Sequence, residues 1–272
     1  QGRLFAVQVA LARMWQDWGI PPSGVVGHGV GEVAAAHVAG ALTLADAARV
    51  ATALGTLAHR LGDRGAVLVT DLDPEKVRLA AAEYGGRLGV TAYDTPRSTT
   101  VTGEAAAVRA LAERIRALGG EAETVPAPAV HGPLAAPLLS GFIAQIGQIT
   151  PTEGSVLLFS TVTTHAVAGT ELTPQYWART PKEPARLAET VRRLTTGTPT
   201  LALEVSPHPH LVGAVTDVLT TGTGAEHPAP PASGHRGEDE HTAVLRALAT
   251  LYTAGADPRW PVTRELPPVP LP

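Results

Sequence analysis

A short apolar strand, Val25-Val26, runs into Gly27-His28-Gly29-Val30-Gly31-Glu32, and a helix of small residues leaves it. Strand, Gly-x-x-x-Gly and helix form the frame of a nucleophile elbow, a strained turn that holds its central side chain exposed. The flanking glycines let strand and helix approach closely. Here the central position is Gly29, which has no side chain to attack anything. The turn would still present the backbone N–H of Val30, half of an oxyanion hole. An ordinary glycine turn between strand and helix shares this short frame, so on these residues alone both readings stand.

Other clusters are weaker candidates. His208 and His210 stand at i, i+2 with no carboxylate or cysteine beside them, a spacing more typical of turn histidines than of a metal site. Asp71, Asp73 and Glu75 read as acids favoured at a helix N-terminus, and Glu238-Asp239-Glu240 as a solvated run. No metal site is expected. The chain has no cysteine, which excludes disulfides, thiolate ligands and a cysteine nucleophile.

The elements that must position the elbow follow from periodicity. Leu4, Val7, Leu11, Met14 and Trp18 predict an amphipathic helix over 3–18, stopped by Gly19. A second helix starts after Thr43 and runs to about His59. Strand Ala66–Thr70, a helix opening at Asp73-Pro74-Glu75, strands Leu88–Ala92 and Thr99–Thr102, helix Glu104–Leu118 and strand Glu121–Val125 then follow. That β-α-β-β-α-β order is the ferredoxin-like signature. Helix 134–147, strand Val156–Ser160, helix 183–195 and strand Thr200–Val205 return to α/β alternation, which implies a parallel sheet. Thr221–His241, rich in Gly, Pro and charge, reads as a flexible surface segment. Helix 242–254 and a proline-rich tail end the chain.

Bulk properties narrow the function classes. With 272 residues, 44% hydrophobic and 17% charged, the profile is globular. A formal net charge of −4 leaves no basic footprint, so nucleic acid is not an expected partner. No apolar run approaches a membrane span, and a cytoplasmic protein is expected. The chain opens on Gln1 rather than methionine and reads as a piece of something longer.

Val26 to Glu32 resembles the Gly-His-Ser-x-Gly-Glu motif of polyketide synthase and fatty acid synthase acyltransferases. Leu4-Phe5-Ala6-Val7-Gln8 and Ala34-Ala35-Ala36-His37-Val38-Ala39-Gly40 are similar too. So are Ser160-Thr161-Val162-Thr163, Tyr176-Trp177-Ala178-Arg179, Glu204-Val205-Ser206-Pro207-His208-Pro209 and the tail Leu266–Pro272, in the family's order. The resemblance spans nearly the whole chain and points to the acyltransferase domain of a modular type I polyketide synthase. It implies an α/β-hydrolase-like core over 1–63 and 128–220, a ferredoxin-like insert over 64–127, a flexible segment over 221–241, and a helix with a linker over 242–272.

The family's chemistry is serine acyl transfer from an acyl-CoA thioester to the phosphopantetheine thiol of an acyl carrier protein, with histidine as base. No resident cofactor is implied. Neighbouring ketosynthase and linker domains are the implied partners, with the acyl carrier protein. By this resemblance Gly29 stands at the serine position, with His28 beside it. His131 matches the base, and Leu54 replaces an arginine that pairs with malonyl-type carboxylates. Pro128-Ala129-Val130 precede the base where the family reads its extender choice. Thr180 stands where an asparagine helps to orient the base. Ser160 and Ser206 lie in stretches shared with active relatives, and Ser23 precedes the strand, so none substitutes for the missing serine. A glutamine-bearing strand that completes the family's oxyanion hole would lie upstream of Gln1. The departures together imply a domain without acyl-enzyme chemistry, kept as a scaffold. The alternative is a starter-unit acyltransferase for uncharged acyl groups, disabled at its nucleophile. A third reading is a carrier-binding module that recognises an acyl chain without transferring it.

Overall fold

The computed structural model describes residues 1–125, 127–196, 200–222 and 228–260. α1 (Gly2–Asp17) buries Phe5 and Trp15 and ends at Trp18. β1 (Gly24–Gly27) and α2 (Val30–Val38) form the strand, turn and helix anticipated above. α3 (Leu44–Leu61) starts where the Thr43 hydroxyl accepts the Asp46 N–H at 3.1 Å, an ordinary N-cap. It packs its apolar stripe, Val50, Leu54, Leu57 and Leu61, into the main core.

β2 (Gly65–Thr70), α4 (Pro74–Ala82), β3 (Leu88–Thr95), β4 (Ser98–Glu104), α5 (Ala105–Ala117) and β5 (Ala122–Val125) make the second unit. Its four strands lie in the order β3-β4-β2-β5, every pair antiparallel. That is ferredoxin-like topology, and α4 and α5 cover one face through Val77, Leu111 and Ile115. α4 begins as its sequence predicts, with the Asp73 carboxylate accepting two backbone N–H groups and Pro74 at the first turn.

The chain then returns to the core through α6 (Leu139–Ile146), β6 (Leu157–Ser160), α7 (Pro174–Trp177), α8 (Leu187–Thr195), α9 (Val212–Gly222) and α10 (Glu240–Thr253). The fold is α/β: β1 and β6 pair in parallel beneath the helices, and the ferredoxin-like unit is inserted between them. No helix among the described residues is long and apolar enough to cross a membrane.

Three expectations need correction. The helix predicted over 134–147 forms only from Leu139, because Pro133 and Pro137 lack N–H donors and a 3₁₀ turn, Ala136–Leu138, takes the preceding stretch. The helix predicted over 183–195 forms only from Leu187. Its first residues are diverted to the insert, where the Ala185 N–H donates to Thr91 and its carbonyl accepts from Tyr93. The strand predicted over Thr200–Val205 does not join β1. A cavity of about 740 Å³ lies between them, lined by Trp15, Ile20, Val25, Phe159, Leu203 and Leu219, and only Glu204 makes a bridge, to Ala232.

The last point limits, rather than overturns, the reading of 221–241 as a flexible surface segment. Its residues 223–227 lie outside the described residues, as does the tail beyond Trp260. Within the segment, 230–234 is packed, while 228–229 and 235–240 are exposed. Ala232 and Ser233 are buried, the Ser233 N–H and hydroxyl both donate to the Glu204 carbonyl, and that hydroxyl accepts the Trp15 indole N–H at 2.9 Å. A buried tryptophan needs a partner for that N–H, and this loop supplies it.

Candidate active site

β1 holds the register of the site by pairing Gly24–Gly27 with Leu157–Ser160. α2 leaves so close to the strand that a β-carbon on Gly27 would stand 2.2 Å from the Glu32 amide nitrogen. Only glycine fits there. Gly29 caps the helix at φ 58° and ψ −125°, a conformation that side-chain-bearing residues rarely adopt. The turn closes through Gly31 N–H to His28 at 3.0 Å and Glu32 N–H to Gly29 at 3.1 Å. Val30 is the first helical residue, so its own N–H has no carbonyl one turn back to reach.

His131 comes to the same point from the opposite side. A β-carbon on Gly29 would meet, beyond its own turn and among the described residues, only the His131 Nε2, at 3.7 Å. The His131 Nδ1 lies 2.9 Å from the Thr180 carbonyl oxygen. A carbonyl only accepts, so Nδ1 carries the proton and Nε2 presents its lone pair to the space over Gly29. The loop is pinned on both flanks: the Thr102 hydroxyl of β4 donates to the His131 carbonyl, and Gly132 N–H donates to Pro181. Burial lowers the His131 pKa below the ordinary histidine value, the bond to Thr180 pulls it back up, and His28 lowers it further.

Thr180, at the position where the family places an asparagine, reaches this ring through its main chain. The backbone carbonyl of residue 180 orients the base, and any residue type supplies a carbonyl. The Thr180 hydroxyl is itself buried without a hydrogen-bond partner.

The remaining predicted residues separate into those near the turn and those packed away. His28 Nε2 lies 3.3 Å from the Asp94 carboxylate on β3, at ion-pair distance but without hydrogen-bond alignment, so the elbow touches the insert. Asp94 also accepts the Thr100 hydroxyl at 3.1 Å. Leu54 is 3% exposed and belongs to the same apolar cluster as Val30 and Val130. A carboxylate has no partner in such surroundings. Ala129 and Val130 are buried while Pro128 is exposed. A β-carbon on Gly65 would stand 2.6 Å from that of Ala129, which sets Ala129 against the start of β2. His208 and His210 stack edge to face with ring centres 5.2 Å apart, and His208 Nδ1 accepts the Arg236 N–H.

A buried polar network behind the elbow went unnoticed in the sequence. Glu32, fully buried, accepts the Tyr176 phenol at one carboxylate oxygen and the Thr161 hydroxyl at the other, the latter at 3.2 Å. The Tyr176 hydroxyl also reaches the Ser160 Oγ at 2.6 Å. Burial raises the Glu32 pKa, with the hydroxyls of Tyr176, Ser160 and Thr161 opposing, and burial also raises that of Tyr176. The one available signal was Glu32 itself, an acid on a helix otherwise made of small apolar residues. Ser160 and Ser206 are both buried in local hydrogen bonding, and Ser23 is exposed before β1.

Comparison with known proteins agrees with this arrangement. The profile of the family described as "Acyl transferase domain" matches residues 1–258. Erythronolide synthase EryA2 of Saccharopolyspora erythraea is 38% identical over 260 residues, which is 95% of this chain and 7% of that protein. The chain therefore spans a small fraction of the length of such relatives. Among solved structures, the acyltransferase domain from module 8 of the salinomycin polyketide synthase superposes with a TM-score of 0.89 at 31% identity, covering 94% of this chain and 60% of that one. A loading acyltransferase from the avermectin modular polyketide synthase gives 0.84 at 32% identity, covering 92% and 78%. With an elbow, a facing histidine and a profile match over 258 of its 272 residues, the chain belongs to the acyl transferase domain family.

Proposed function

We propose that this chain is the acyltransferase-like domain of a polyketide synthase, that Gly29 stands in the place of the nucleophilic serine, and that it forms no acyl-enzyme. The observation that carries this reading is the empty position itself: the base faces a residue with no atom able to hold an acyl group. The domain then serves as a structural and docking element between ketosynthase, linkers and acyl carrier protein. The buried Leu54 supports the same reading, since no cation stands there to receive a malonyl-type carboxylate. Incubation with malonyl-, methylmalonyl- and acetyl-CoA followed by intact-mass measurement is the test. No added acyl mass is expected, and a stable adduct on the unmodified chain overturns the proposal.

A second reading has its own support in the His131 geometry. Nε2 keeps the aim of a working base, which favours a starter-unit acyltransferase disabled only at its nucleophile. Gly29→Ser distinguishes the two. Adducts with acetyl- or propionyl-CoA, and none with malonyl-CoA, favour a maintained pocket for uncharged acyl groups. No adduct with any of them favours the scaffold.

A further inference from the structure

The space over Gly29 is open and faced by the His131 imidazole, and those two properties together describe a place for a water molecule. Beyond its own turn and among the described residues, a β-carbon there would meet only His131 Nε2, at 3.7 Å. The oxygen that a longer side chain would carry lies one bond further on, within hydrogen-bond reach of Nε2. The Thr180 carbonyl fixes the tautomer so that Nε2 can only accept. The N–H of Val30, the first residue of α2, sits at the same turn, at the positive end of the helix. A general base, a site for a nucleophile and a donor for a developing oxyanion are thus present without any side chain at 29.

We propose that this site hydrolyses thioesters of uncharged acyl groups directly, with water held over Gly29 as nucleophile and His131 as general base. The inference rests on the reading of Gly29 as the vacated nucleophile position. Water oxygen bonds to the thioester carbonyl carbon while one of its protons passes to His131 Nε2, and the carbonyl electron pair moves onto oxygen beside the Val30 N–H. Collapse of that oxyanion breaks the C–S bond. The departing thiolate takes the proton back from His131, leaving a carboxylic acid, a free thiol and neutral imidazole. No covalent enzyme intermediate forms, and no co-reactant other than water is consumed. Leu54, buried in the apolar cluster that also holds Val30 and Val130, offers no cation to a carboxylate, so the acyl class is uncharged.

The test is release of free thiol from acetyl- and propionyl-CoA by the purified chain, read with a thiol-reactive chromophore. The protein has no cysteine, so every thiol detected comes from the substrate. Release above the protein-free rate is expected, falling by about 100-fold in His131→Ala. Malonyl-CoA should be turned over more slowly than acetyl-CoA. His131→Gln serves as a second variant where His131→Ala melts early. Thiol release no faster than buffer overturns the inference, and so does release unchanged in both His131 variants. Intact mass taken in the same reactions separates the failures: an acyl adduct on the chain refutes the non-covalent reading itself, whereas neither adduct nor thiol refutes only the hydrolysis.

Discussion

Glu32 and Tyr176, 144 positions apart in the chain, are joined by a buried hydrogen bond that ties the helix after the elbow to the helix before the turn that aims His131. The bond fixes the two halves of the site relative to one another. Removing the phenol oxygen in Tyr176→Phe strips the Glu32 carboxyl of its nearest donor. A loss of about 1–3 kcal/mol is expected in urea unfolding.

The raised Glu32 pKa gives stability a pH dependence of known sign. The folded value lies above the unfolded one of about 4.5. Its contribution is therefore full below that unfolded value and is lost as pH rises through the folded pKa. Melting temperatures recorded from pH 4 upward should fall across that window. Glu32→Gln, which cannot ionise, should flatten this part of the curve.

His131 acts in the opposite direction. Its folded pKa lies below the ordinary 6.5, so its contribution is present above that value and is lost as pH falls through the folded pKa. In an NMR titration the His131 ring should hold one chemical shift from pH 8 down to about 6.5 and move only below it. The proposed thioester hydrolysis should fade over that same acidic range.

The turn glycines should respond unequally to substitution. Gly29→Ser forces a side chain into a positive-φ conformation and is expected to destabilise by about 1–3 kcal/mol. Gly27→Ala drives a methyl group into the Glu32 backbone, and rigid backbone cannot step aside. A larger loss than in Gly29→Ser is the expected outcome of paired denaturant titrations.

Glu204 caps α9 with both carboxylate oxygens, accepting the N–H groups of His210, Leu211 and Val212 at 2.7–2.9 Å. Glu204→Ala leaves those donors without their acceptor, and about 2 kcal/mol of stability should go with it. The far-UV helix signal should fall slightly.

The insert was legible because its strand and helix periods alternate in one continuous stretch, and Val77, Val108 and Leu111 fall where a ferredoxin-like core needs them. The elbow was legible from three glycines at fixed spacing. What stayed hidden is carried by contacts between distant segments. No local pattern marks Asp94 as the neighbour of His28, nor the Thr180 backbone as the acceptor for His131, since a carbonyl is common to every residue type. The 200–205 stretch has the composition of a strand but lies across a cavity from β1, and composition does not report what stands beside a segment.

The conformation of Gly29 also makes substitution at this position unequal in its two directions. At φ 58° and ψ −125° glycine is relaxed and every other residue is strained. Once glycine enters, the turn becomes more comfortable at once, before any other position has changed. A side chain at this position has to lose stability first, whatever it would then be used for. The turn thus behaves as a one-way step in stability: glycine enters it easily, and a side chain enters only at a cost.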